Sequence, residues 1–194
     1  PYVVGGHTAS GYWVDTHRQT TIRGLYAAGD VAGGCPQKYV TGALVEGEIA
    51  AKHIVETALS DSLELTADEE QQLLADKVAE YNAFLGEERP FFTVEELEEA
   101  MQKVMDTYAG GIGSHYQYNE RQLALADEKI DQLTDLATSV GAGDYHELLF
   151  VYELRERLTV CKVLIAHLRA RKETRWHSFA ENLDYPEQRE EWLK

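Results

Sequence analysis

Residues Thr20 to Gly34 read TTIRGLYAAGDVAGG. A strand-like GLYAAGD ends in an acid and is followed almost at once by glycines. Glycine lets a backbone be approached closely and adopts conformations that other residues resist. Small residues followed by a carboxylate suit an acceptor for sugar-type hydroxyls on a ligand lying against the chain. Asp30 is the candidate contact. In the competing reading the segment is a β-turn in which Asp30 only caps the following loop, and a short glycine motif does not separate the two.

On either side the pattern continues. Downstream, GGCPQKYV leads into TGALVEGEIAAKHIV, and the spacing predicts a helix over 41–59. Thr41, Gly42 and Ala43 would form its N-terminus, where free N–H groups can face an electron-rich ligand edge. An ordinary amphipathic helix with a threonine cap uses the same residues. Upstream, GGHTASGYWVD places His7 after two glycines and near aromatics. A histidine there could bind an anionic substrate or carry protons; the bland alternative is a structural histidine. YWVD and GLYAAG read as strands.

From Thr66 the character changes. Thr66 with Glu69 forms a capping box ahead of the apolar positions Leu74, Val78, Tyr81 and Leu85. GEERPFFT breaks that helix, because Pro90 disfavours helical backbone at Arg89. Three helical stripes follow. The first is Val94, Leu97, Met101, Val104, Met105 and Tyr108; the second is Leu123, Ala126, Ile130, Leu133, Ala137 and Val140. The third is Leu148, Val151, Tyr152, Arg155, Leu158, Cys161, Ile165 and Leu168, with Arg155 as its polar interruption. AGGIGSH and GAGD separate them, which predicts three antiparallel neighbours. GGIGSH lacks a full GxGxxG and follows a helix, so it reads as a turn. The bases of ARKETRWH suit a helix C-terminus, with Arg175 and His177 as alternative contacts to an anionic site. The acidic runs read as solvated helix faces, and the last residues as an extended tail lying on other structure.

Composition narrows the function. The 194 residues carry a formal net charge of -16, which argues against nucleic acid as a partner. Cys35 and Cys161 stand far apart with no Cys/His spacing, so no metal site and no disulfide framework is expected. A reduced, intracellular setting is the default. No apolar run reaches transmembrane length. The chain begins at Pro1 inside a strand-like PYVVGG and is expected to be a piece of a longer protein.

Taken together and in this order, the segments resemble the C-terminal part of the flavoprotein subunits of the fumarate reductase, succinate dehydrogenase and adenylylsulfate reductase superfamily. TTIRGLYAAGDVAGG is similar to the family's second FAD-contacting segment, and GALVEGEIAAKHI to the helix whose start faces the flavin. RARKETRWH and DYPEQREEWLK resemble the C-terminal three-helix domain and its closing segment. The resemblance implies an α+β fragment. A strand-rich piece of an FAD-binding domain would span 1–62, a helical linker 63–92, a three-helix bundle 93–174 and an extended tail 175–194. It also implies an FAD-dependent oxidoreductase, cytoplasmic, that works with an iron–sulfur subunit or ferredoxin-like partner on a small anionic substrate. Gly29, Asp30, Thr41, Gly42 and Ala43 would contact FAD, while His7 and Lys38 would line the substrate side. The fragment alone would be inactive.

GGHTASGYWV and GGCPQKYVTGALVEGEIAA lean toward the alpha chains of the dissimilatory adenylylsulfate reductases, although Gln37 stands where their Pro-His-Lys pattern has histidine. The Asn-Arg-Leu-Gly-Gly stretch of fumarate reductases, shared by L-aspartate oxidases, is not seen between Gly33 and Gly42. A fumarate reductase-type flavoprotein is the first alternative, and a non-enzymatic acidic helical interaction domain is the second.

Overall fold

The computed structural model describes residues 11–34, 39–58, 65–86, 91–174 and 180–192. His7, Gln37, Lys38, Arg175 and His177 lie outside the described residues. The chain divides into two compact units, with the boundary between Glu69 and Glu70.

In the first unit the two expected strands do not form ladders. Among the described residues there are only isolated bridges, Tyr12 with Ala32 in parallel sense and Gln19 with Tyr26 in antiparallel sense. Turn chemistry cuts the extended runs short. The Asp15 carboxylate accepts the N–H groups of His17 at 2.8 Å and Gln19 at 3.0 Å. Arg18 then takes φ 69°, and Gly24 closes the next turn at φ 81°. Gly29, at φ 72°, ends the second run in a 3₁₀ turn, Gly29–Val31. Helix α1 follows at Val40–Ala58, matching the expectation over the residues described.

Helix α1 is dressed in an unusual way. Glu46 and Ala50 are buried and His53 and Thr57 half-buried, a 4-3-4 spacing that marks one face. Val40, Leu44, Val45 and Val55 are exposed. The face this helix turns to its own unit is therefore the small and polar one.

The second unit is helical. Helix α2 (Ala67–Asn82) starts at the predicted box: Glu69 accepts the Thr66 N–H at 2.8 Å, and Thr66 Oγ1 accepts the Glu69 N–H at 3.3 Å. Its expected apolar positions Leu74, Val78 and Tyr81 are nevertheless exposed, and no residue of α2 is buried. The chain beyond it docks instead. Phe84 and Leu85 pack on the core, where Gly86 N–H donates to the Ala142 carbonyl and Ala142 N–H to that of Phe84.

Helices α3 (Val94–Tyr108), α4 (Glu120–Ala137) and α5 (Tyr145–Ala170) pack on one another. Each start is fixed by a side chain that accepts a backbone N–H of the first turn: Thr93 from Glu96, Asn119 from Gln122 and Asp144 from Glu147. The first two stripes supply the core as expected. In the third, the core position is Leu154 rather than Arg155. The 148-151-154-158-161-165 spacing faces inward, and Arg155 lies one residue round the helix on its flank. Helices α4 and α5 run antiparallel, because Lys162 reaches Asp131 at 2.8 Å while Lys172, further along, reaches back to Glu120 at 2.6 Å.

A two-residue parallel pair joins β1 (Gln117–Tyr118) to β2 (Glu181–Asn182). The result is mainly helical with one small sheet, the α+β fold class read from the sequence. The GGIGSH segment is a turn, as read. Gly113 N–H donates to Asp106 at 2.9 Å, and a Cβ at Gly113 would stand 2.3 Å from that carboxylate. The tail lies on the bundle end. Glu173, its side chain fully buried, accepts from the Arg171 guanidinium at 3.1 Å and the Arg189 N–H at 2.9 Å.

Candidate functional site

The first unit brings the turn after the GLYAAGD run onto the start of α1. Gly29 N–H donates to a Glu46 carboxylate oxygen at 2.9 Å, and Ala32 N–H closes the turn onto the Gly29 carbonyl at 3.0 Å. On the other side of the turn, Tyr12 N–H donates to the Val31 carbonyl at 2.7 Å, and Gly33 N–H to that of Tyr12 at 2.8 Å. Two constraints make Gly29 glycine. Its φ of 72° strains any residue with a Cβ, and that Cβ would lie 3.1 Å from the Cβ of Ala43.

Asp30 stands exposed at the head of this turn. Helix α1 carries no acid in its first turn, and Ala43 N–H donates to the Tyr39 carbonyl at 3.0 Å. A helix start has backbone donors without intrahelical acceptors and a partial positive charge. Thr41 and Gly42 are at that start, and Tyr39, Val40 and Leu44 around it are exposed. Gly29, Asp30, Thr41, Gly42 and Ala43 thus come together as a carboxylate, a close-approach glycine and an electropositive helix end beside an apolar platform. His7 and Lys38 lie outside the described residues.

Two anchors hold α1 to the preceding loop, and the sequence reading missed both. Glu46, 5% exposed, bridges Gly29 and the Arg18 guanidinium, the latter at 3.3 Å. Further along, His53 Nδ1 lies 2.8 Å from the Tyr26 hydroxyl, and its ring stacks on His17 with centroids 4.3 Å apart. Below the rings, the backbone N–H of Gln19 and then that of His17 hold the Asp15 carboxyl below its ordinary value. The signal was present in the spacing. Ala43, Glu46, Ala50, His53 and Thr57 share one helical face, so an acid there sits among small residues where a solvated one would not.

No family model matches the chain. It is 25% identical over 217 residues to the adenylylsulfate reductase alpha subunit of Megalodesulfovibrio gigas, covering 95% of this chain and 33% of that one. An uncharacterised FAD-dependent oxidoreductase of Methanocaldococcus jannaschii is 29% identical, with coverage of 96% and 33%. A component of the CoM/CoB fumarate reductase of Methanothermobacter marburgensis is 27% identical, with coverage of 97% and 34%. Among solved structures, adenylylsulfate reductase of Archaeoglobus fulgidus superposes with a TM-score of 0.77 at 33% identity, covering 90% of this chain and 29% of that one. The chain is a homologue of the C-terminal part of these flavoproteins. It spans about a third of the length of the curated relatives it matches. The E. coli quinol fumarate reductase flavoprotein shares the fold, with a TM-score of 0.76 at 20% identity.

Proposed function

We propose that this chain is the C-terminal part of an FAD-dependent oxidoreductase flavoprotein that acts on adenylylsulfate, or on sulfite and AMP in the reverse direction. The observation that carries the reading is the 33% identity to the Archaeoglobus fulgidus adenylylsulfate reductase at a TM-score of 0.77. The Asp30 carboxylate as acceptor and the α1 start as a source of backbone donors support the FAD part of that reading.

FAD, when bound, supplies the redox chemistry. This chain's own residues bind and orient it. Asp30 accepts hydrogen bonds from the hydroxyls of the cofactor's ribityl region. The backbone amides near Thr41, Gly42 and Ala43 favour negative charge at the ring edge, as a preorganised helix end does. His7 and Lys38 line the substrate side, and Gln37 occupies the place of a histidine in the adenylylsulfate reductase pattern. Residues 1–62 contribute to the FAD domain, 63–92 link it, and 93–174 with the tail form the assembly domain. The partner is an iron–sulfur subunit or ferredoxin-like protein, and the setting is cytoplasmic. Among the described residues no helix is long and apolar enough to cross a membrane.

A second reading, fumarate reduction, is favoured by the likeness to the Methanothermobacter protein. The test uses the full-length flavoprotein co-expressed with its neighbouring iron–sulfur protein. Bound FAD is confirmed by absorption, then sulfite oxidation with AMP is compared with fumarate reduction by a reduced dye. Sulfite turnover is the expected result; fumarate turnover alone transfers the assignment to the second reading. Asp30→Ala lowers FAD content, and normal FAD content in that variant removes the role given to Asp30. The 194-residue chain by itself is expected to be inactive and to hold FAD weakly.

A further inference from the structure

Resting on the reading of residues 29–43 as an FAD-contacting surface, we propose that Glu46 is a positioning residue that fixes the spacing between the Asp30 turn and the N-terminus of α1. It lies one helical turn beyond those contacts on the buried face, so it acts through other residues.

Its carboxylate joins three segments. One oxygen accepts the Gly29 N–H at 2.9 Å, and the other meets the Arg18 guanidinium at 3.3 Å. Arg18 is itself fixed in place, since its N–H donates to the Asp15 carbonyl at 3.1 Å and its carbonyl accepts the Ala27 N–H at 3.0 Å. The contact between turn and helix is bounded from both sides. Ala43 against Gly29 sets the closest approach, and the Glu46 bond prevents separation. A cofactor that touches both Asp30 and the helix end depends on that spacing, because misplaced donors lose hydrogen bonds steeply with distance and angle. Buried side chains are found paired in this way when their geometry matters, since breaking the pair leaves a desolvated group behind.

Two substitutions separate spacing from charge. Glu46→Gln keeps the length of the side chain and an acceptor oxygen for Gly29. Glu46→Asp keeps the charge but is one methylene too short to serve both partners. In the full-length flavoprotein, FAD affinity is measured by titrating the apoprotein, and the flavin absorption bands are recorded at saturation. The expected result is that Glu46→Asp weakens FAD binding about tenfold, the equivalent of one charge-assisted hydrogen bond, and shifts the bands. Glu46→Gln should stay within about threefold of the parent with unshifted bands. Wild-type affinity and bands in Glu46→Asp overturn the proposal, as does a loss in Glu46→Gln that exceeds the loss in Glu46→Asp. If Glu46→Asp does not fold, Arg18→Gln serves. It removes one of the two partners that hold the Glu46 carboxylate, so weakened FAD binding with displaced bands supports the proposal, and parent affinity with unshifted bands overturns it. Failure of the wild-type protein to take up FAD at all sinks the underlying reading instead, and is told apart by that control.

Discussion

Arg155 donates to the Glu80 carboxylate at 3.1 Å while its guanidinium lies 5.1 Å from the centre of the Phe84 ring. The polar break in the third stripe is thus the attachment of the end of α2 to α5, reinforced by Tyr81 set edge-on to Tyr152. Arg155→Ala should speed amide hydrogen exchange at residues 78–85 by about fivefold and leave α3 and α4 unchanged. Uniform acceleration across the bundle would show that the residue does something else.

Leu154 and Leu164 test which way α5 faces. Leu154 is fully buried, whereas Leu164 is exposed. Leu154→Ala should cost about 2–5 kcal/mol in denaturant unfolding, because it removes buried methyl groups and leaves a cavity. Leu164→Ala should cost less than about 1 kcal/mol. Equal costs would mean that the outer face of α5 is covered.

Burial pushes the Cys161 thiol above its ordinary value. A raised value in the folded state means full stability below the thiol's unfolded value and loss as pH rises through the folded one. In a Cys35→Ser background, Cys161→Ala should flatten the alkaline fall in the denaturation midpoint. The native thiol should also react with a disulfide reagent far more slowly than after unfolding. Fast native labelling would contradict the burial.

Gly29→Ala probes the turn against α1. A Cβ at φ 72° costs about 1–2 kcal/mol, and the 3.1 Å approach to Ala43 pushes the helix start outward. The full-length protein should retain less FAD through purification. Gly24→Ala has the same sign of φ but open space around it, so it should leave FAD content unchanged. A matching FAD loss in both variants would trace the effect to local strain alone.

Much of the bundle was legible because its signals are local. Every expected core position of the first two stripes packs in or against the core, and the Thr66–Glu69 box forms as spelled. The choice between Leu154 and Arg155 was not legible, since adjacent residues differ by about a third of a helical turn and tertiary packing decides between them. The strands failed for a different reason. YWVD and GLYAAG have strand-like composition, but the Asp15 turn and the positive φ values at Arg18 and Gly29 leave each run a single bridge. Glu46 escaped notice because an acid in a helix is ordinarily solvated, and the small residues spaced along its face were not weighed against that expectation.

The pairing of β1 with β2 turns α4 and α5 into a closed ring. Gln117 leads into α4 and Glu181 follows α5, and their strands register side by side 64 residues apart. The antiparallel helices return the chain to the end from which it left, so this short clasp need bridge only a small gap. Contacts near in sequence can assemble the helix pair first, and the clasp then closes a loop that the pair has already shortened. The order reverses on unfolding. The clasp, together with the contact of Arg189 with Glu173, lies between the C-terminus and the helices, so a pull on that terminus should load the clasp before it loads the helix pair.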